Sequence, residues 1–93
     1  MPSVVATVKV KEGKQDEACA FFKELAASVL ADEPGTLAYV VHQRRDDPNA
    51  IVVYEKYESD AAFAIHGKNL AAKGAQFAAL LAGAPDIVIL QEL

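Results

Sequence analysis

The chain has 93 residues, of which 53% are hydrophobic, and its formal net charge at pH 7 is −4. This length predicts a single domain spanning residues 1–93, and the apolar fraction is high for so small a domain. The acidic balance, with no basic cluster beyond Arg44 and Arg45, argues against nucleic-acid binding, because the phosphate backbone requires a positive protein surface.

The numbers and positions of the cysteine and histidine residues limit the kinds of site that the chain can form. The single cysteine, Cys19, excludes an internal disulfide and a cysteine-based zinc site, and it lies in an apolar helical pattern that favours a core position over a catalytic thiol. Two histidines and scattered carboxylates show no metal-ligand spacing, so no metal is predicted. No apolar run reaches the length of a membrane span or a signal peptide, and a cytoplasmic protein without membrane contact is expected.

The first half of the chain predicts a strand, a helix and a hairpin. Residues 3–10 alternate as a strand does, and the apolar residues of 15–31 recur at helical spacing up to the break at Pro34 and Gly35. Residues 36–45 and 51–57 read as two strands joined by a turn over 46–49, which makes an antiparallel hairpin. In the first of these strands, Leu37 and Tyr39 are expected to share one face.

The second half predicts helical segments and a last strand. Ser59 is a plausible N-cap for a short helix that Gly67 would end, and a further helix is expected over 69–82 with Gly74 as a weak point. Residues 86–93 alternate as a strand after the break at Pro85. The order β-α-β-β-α-(α)-β is that of the ferredoxin-like split βαβ layout, an α+β fold with helices on one face of a four-stranded antiparallel sheet.

The other face of this sheet would be bare in a single chain. Its predicted members are apolar, and a surface of this kind is poorly tolerated in water. Packing against the same face of a second copy would cover it, so a homodimer with a closed two-chain barrel is expected. The predicted members are Val5, Val40, Val52, Tyr54 and Leu90.

Four segments follow the pattern of a known family. They are the Glu-Pro-Gly run and tyrosine of 33–39, the Asp-Pro turn of 46–49, the strand end of 54–59, and the helix of 62–66 that carries His66. In these segments the chain resembles the antibiotic biosynthesis monooxygenase domain of the dimeric α+β barrel proteins. That family includes cofactor-free quinol or anthrone oxygenases, heme-degrading enzymes and an isomerase of a signalling metabolite.

Two departures from the family pattern bear on the substrate. Tyr57 stands where tryptophan is common, and the chain contains no tryptophan. The strand-1 region that carries an asparagine in heme-degrading relatives reads Val5-Ala6-Thr7, so that role is not expected. Val53 and Tyr57 also stand at the approximate places of the asparagine and tryptophan of anthrone-type oxygenases.

The candidate site residues lie between Tyr39 and His66. His66 is the candidate catalytic base, because histidine exchanges protons near neutral pH, or else a structural histidine that closes the helix end. Glu55 lies among apolar neighbours, so it would act as a general acid or base or would pair with and orient His66. Tyr39, Tyr57 and Phe63 are the candidate substrate-binding residues, with core packing as the alternative.

The resemblance implies a cofactor-independent monooxygenase that acts on an electron-rich aromatic molecule such as a quinol or polyphenol. In this hypothesis His66 deprotonates the substrate and the anion reacts directly with oxygen, so neither flavin nor metal is required. Two alternatives remain open. One is a non-catalytic small-molecule-binding or stress-related barrel, and the other is a metabolite isomerase that uses the same histidine.

Overall fold

The computed structural model describes all residues 1–93 and contains four strands and three helices. The neighbouring strands are antiparallel in the order β2-β3-β1-β4, which confirms the predicted ferredoxin-like α+β fold. None of the helices combines the length and apolarity needed to cross a membrane. In chain order the elements are β1 (Pro2–Lys9), α1 (Gln15–Asp32), β2 (Thr36–Gln43), β3 (Ala50–Tyr57), α2 (Asp60–Ala71), α3 (Gly74–Leu80) and β4 (Asp86–Gln91).

The main core lies between α1 and the helix-facing side of the sheet. Alternate residues of the strands point to this side, as the two-residue period of a strand requires, and they meet one stripe of α1. A smaller cluster of Val4, Tyr57 and Ala62, with Phe63 packed on it, lies where β3 ends and α2 begins. The main cluster consists of Ala6, Val8, Val10, Ala18, Phe22, Leu25, Val29, Tyr39, Ile51 and Val53.

The helix α2 starts where the sequence predicted and ends later. The hydroxyl of Ser59 accepts a hydrogen bond from the Ala62 backbone N–H at 3.1 Å, which confirms Ser59 as the N-cap. The prediction that Gly67 ends the helix is wrong, because α2 continues to Ala71. Continuation places Leu70 one turn beyond His66 on the inner side, where it packs against the main core.

The strand β2 contains an irregularity that the sequence did not reveal. Its register against β3 shifts between Thr36, which pairs with Tyr57, and Ala38. Leu37 lies at this bulge and is 48% exposed, so the expectation that it shares the buried face of Tyr39 is wrong. The shift leaves Thr36 buried, beside the end of α1.

The turn between β2 and β3 is held by ion pairs at the far end of the sheet from α2. Arg44 donates to both carboxylate oxygens of Asp46, at 2.8 and 2.6 Å, and Lys9 pairs with Asp47. The Asp47 side chain also accepts from the Asn49 backbone N–H at 3.0 Å, a local bond typical of such turns. The predicted hairpin is thereby confirmed.

The sheet face opposite the helices is apolar and uncovered in the single chain. Tyr54 is paired with Val5 on one side and with Val40 on the other, and Val5 is paired with Val88. Exposed fractions are 37% for Tyr54 and 47% for both Val40 and Val88. The bare face therefore exists as predicted, and we call these residues, together with Val52 and Leu90, the open face. Its covering by a second copy stays a prediction.

Candidate functional site

His66 lies on the inner side of α2, sealed between that helix and the sheet. Its side chain is only 2% exposed. Its ring centroid is 5.1 Å from that of Tyr39 on β2 and 5.4 Å from that of Tyr57 on β3. The structure thus places two candidate residues, Tyr39 and Tyr57, around the imidazole of a third, His66.

The hydrogen-bond partner of His66 is Glu33, a residue that the sequence interpretation did not include among the candidate site residues. The two atoms His66 Nδ1 and Glu33 Oε1 are 2.9 Å apart. Glu33 is the C-cap residue of α1 and is 7% exposed. The one sequence signal for it was its place in the family-like segment 33–39, because nothing local reveals a contact with a residue so far along the chain.

Glu55 and Tyr57 form the second polar pair of the site. The Tyr57 hydroxyl donates to Glu55 Oε1 at 2.5 Å, and both side chains are buried. Burial raises the pKa of the Glu55 carboxyl, and the hydrogen bond from Tyr57 opposes part of that rise. Glu55 Oε1 is 3.8 Å from His66 Nε2, beyond hydrogen-bond distance, so the expected pair is adjacent but not bonded.

The two tyrosines of the site are held as neutral phenols. Burial is the main cause that raises the pKa of Tyr39 and of Tyr57, and the nearby Glu55 adds to both. Each hydroxyl is therefore suited to donate a hydrogen bond rather than to act as a base. Phe63 is half-buried, with its ring centroid 5.0 Å from that of Tyr57, so it covers the tyrosine from the helix side.

One atom of the site lacks a partner. His66 Nε2 is buried and makes no hydrogen bond. Such atoms are uncommon in folded proteins and call for an explanation, because an unpaired buried polar group is costly. Five concavities of about 180 to 370 Å³ lie on the single chain, and none is lined by His66, Glu55 or Tyr57, although Glu33 borders two of about 220 and 330 Å³. None of these three side chains therefore borders an open concavity in this structure.

The remaining polar candidates lie apart from this cluster. His42 is exposed on β2, where its Nδ1 is 3.1 Å from the Val52 carbonyl oxygen. Cys19 is partly buried and packs against the main core. No group of three or more histidine, cysteine, aspartate or glutamate side chains is arranged to hold a metal ion.

The protein is thus a small α+β protein with a ferredoxin-like sheet. Its candidate acid–base site is a buried histidine that lies under α2 between two glutamates. The model of the antibiotic biosynthesis monooxygenase family matches residues 1–78, and the chain belongs to this family. Family membership is consistent with a fold that binds small molecules, and it leaves the substrate open. Among curated proteins, none matches the chain.

Solved structures agree with this assignment. A Caulobacter crescentus protein provisionally named an antibiotic biosynthesis monooxygenase is 37% identical over 99% of this chain and 89% of its own, with a TM-score of 0.89. PA3566 from Pseudomonas aeruginosa is 26% identical over 99% and 93% of the two chains, with a TM-score of 0.87. Rv0793 from Mycobacterium tuberculosis, at 20% identity over 99% and 94%, shares the fold with a TM-score of 0.85.

Proposed function

We propose that this protein is a cofactor-independent monooxygenase of a quinol or polyphenol-type small molecule. The observation that carries the proposal is the buried, unpartnered Nε2 of His66, which faces the Glu55–Tyr57 pair. A nitrogen lone pair in that position is suited to take a proton from a phenolic hydroxyl placed between helix and sheet. The family name supports oxygenation as the reaction class.

The proposed reaction needs no outside reductant. His66 removes a phenolic proton, and the electron-rich anion adds molecular oxygen at a ring carbon. One oxygen atom stays on that carbon and the other leaves as water, so a quinol and O₂ give a hydroxyquinone and water. The substrate itself supplies the two electrons that reduce the second oxygen atom, because the quinol ends as a quinone.

The other polar side chains have distinct parts in this proposal. Tyr39, held as a neutral phenol, donates a hydrogen bond to a substrate oxygen, and Tyr57 donates to another once its hydroxyl has turned away from Glu55. Glu55, whose pKa is raised by burial, keeps its proton to a higher pH than an ordinary glutamate and is suited to protonate the oxygen that leaves as water. Once the Phe63 side chain has moved away from Tyr57, it contacts the aromatic ring of the substrate.

Substrate can reach Nε2 only after local opening. His66 and Tyr57 are 2% and 0% exposed, so the closed state has no room for a quinol. Phe63 is the half-buried member of this group and lies on the solvent side of Tyr57. In the proposal it is the side chain that moves when substrate enters.

The proposal includes a homodimer formed through the open face. Tyr54 lies near the centre of that face, between Val5 and Val40, and a second copy would cover the apolar residues around it. The two sites would lie on the outer, helix-covered sides of the joined sheets.

A second candidate is a small-molecule-binding protein that performs no oxygenation, or an isomerase. The observation in its favour is the tight closure of the site, with Tyr57 fully buried where relatives commonly have tryptophan. A binding protein or an isomerase would occupy the same position beside His66 and would consume no oxygen.

The deciding experiment is oxygen uptake by the purified protein with a panel of quinols and anthrones, without added cofactor. We expect uptake that falls roughly 10²- to 10⁴-fold in His66→Gln, the range that a general base contributes. His42→Gln, which changes the exposed histidine, is the matched control and should keep the rate. Equal rates for wild type and His66→Gln would refute the assigned base, and binding without uptake would favour the second candidate.

A further inference from the structure

Glu33 is held in place from three directions. Its Oε1 lies 2.9 Å from His66 Nδ1 and accepts from the Thr36 hydroxyl at 3.2 Å, and its Oε2 accepts from the Asn69 amide at 3.3 Å. Its backbone N–H donates to the Val29 carbonyl oxygen at 2.9 Å, which completes the end of α1. The carboxylate therefore joins α1, β2 and α2 at one point.

This contact decides which nitrogen of His66 carries the proton. An ionised carboxylate oxygen can only accept a hydrogen bond, so Nδ1 must be the donor. The neutral imidazole then has its lone pair on Nε2, the atom without a partner. With the opposite tautomer, Nδ1 would face Glu33 without a hydrogen and Nε2 would have no lone pair for a substrate proton.

Glu55 is not placed to fix the tautomer of His66. Its nearest oxygen is 3.8 Å from Nε2 and already accepts the Tyr57 hydroxyl at 2.5 Å. A contact of that length cannot fix a tautomer. The orienting glutamate of this site is thus the one at the end of α1 rather than the one on β3.

We propose that Glu33 is a positioning residue that holds His66 in the Nδ1–H tautomer, with Nε2 directed at the Glu55–Tyr57 pair, while Thr36 and Asn69 fix the carboxylate. Its effect on turnover rests on the proposed oxygenase function, whereas its effect on the tautomer does not. Glu33 itself lies on the far side of the imidazole from Nε2, so it touches no reacting atom.

The first test is ¹⁵N NMR of the imidazole nitrogens, with the two histidines assigned by comparison with His42→Gln. In the wild type with a neutral His66 imidazole, we expect a protonated Nδ1 and a pyridine-type Nε2. Glu33→Asp should keep this pattern, since it keeps a carboxylate. Glu33→Gln should introduce the Nε2–H tautomer, because its amide can turn to donate to Nδ1. An Nε2–H tautomer in the wild type would overturn the proposal without any variant.

The second test is kinetic. We expect Glu33→Gln to lower kcat on the order of 10²-fold, at the lower end of a general base's contribution, with little change in KM. Glu33→Asp should recover part of that loss. Glu58→Gln, an exposed glutamate near the same end of the sheet, is the control and should keep kcat. Unchanged tautomer and unchanged kcat in Glu33→Gln would refute the positioning role. A wild type that turns over no substrate would refute only the oxygenase function, since the NMR result still decides the role of Glu33.

Discussion

The Tyr57 hydroxyl donates to Glu55 Oε1 at 2.5 Å, across two residues on one face of β3, and both groups lie inside the protein. The two-residue period of the strand makes this pair local, while the helix α2 above it keeps water away. The pair is a buried polar contact whose energetic value depends on both members being present.

Tyr57→Phe should destabilise the fold by about 1–3 kcal/mol, because it leaves the buried Glu55 carboxyl without its donor. Urea unfolding measures this as a lower midpoint with an unchanged slope. Tyr54→Phe, at a tyrosine on the opposite face of the same strand that does not donate to Glu55, is the matched control and should change stability by less than about 0.5 kcal/mol. Equal effects of the two variants would contradict the importance of the buried pair.

Glu55→Gln should change how stability depends on pH. The pKa of Glu55 is raised in the folded protein above its ordinary value of 4.5, chiefly by burial, so folding favours the protonated form. The stabilisation of the fold by protonated Glu55 is therefore fully present below about pH 4.5. It is lost as the pH rises through the pKa that Glu55 has in the folded protein. Glutamine keeps an acceptor for Tyr57 and carries no charge.

The measurement is the free energy of unfolding of both proteins from pH 4 to pH 8. The free energy of unfolding of the variant should rise relative to that of the wild type as pH rises. The effects of the other carboxylates cancel in this difference because both proteins contain them. A difference that stays constant over this range would show that Glu55 is not perturbed.

Gly35→Ala should push α2 away from the sheet. A Cβ at Gly35 would lie 2.6 Å from the Ala62 Cβ, closer than side-chain carbons approach each other. We expect a loss of about 1–3 kcal/mol, as for other overpacked sites. In the double variant Gly35→Ala with Ala62→Gly, the contact is relieved at a helix cost of about 1 kcal/mol. Simple additivity of the two changes, measured by urea unfolding, would contradict this direct contact.

Phe63→Ala should expose His66 to diethyl pyrocarbonate, which acylates neutral imidazole. In the wild type the exposed His42 should react and the sealed His66 should be protected. The variant should raise the His66 rate at least about tenfold, because removal of a covering side chain lowers the cost of local opening. Peptide mass spectrometry distinguishes the two sites. Phe77→Ala, at a half-buried phenylalanine that packs on Phe21 instead, should leave His66 protected.

Tyr54→Lys should convert the proposed dimer to a monomer, because it places a charge at the centre of the open face. Sedimentation velocity over a range of concentrations measures the change. Ile65→Lys, which alters an apolar side chain of α2 that is 57% exposed, is the control and should stay dimeric. A wild type that is monomeric at all concentrations would exclude the dimer.

Sequence reasoning predicted the element order, since alternation and helical spacing are local signals. It missed Glu33 as the partner of His66, because a contact between residues 33 apart depends on how α1 and α2 pack. The bulge at Leu37 was equally hidden, as the apolar pattern of β2 fits a regular strand. The predicted helix end at Gly67 was wrong because the packing of Leu70 outweighs the modest helix penalty of one glycine.

The β2–β3 turn has a practical consequence. Its residues 46–49 are separated from Tyr57 by the whole of β3, roughly 25 Å at the rise of an extended strand. The ion pairs Arg44–Asp46 and Lys9–Asp47 stabilise this turn and do not contact the side chains around His66. A fluorophore or an immobilisation handle attached there would leave the His66 cluster intact, so the protein can be fixed to an electrode while the proposed oxygen uptake is tested.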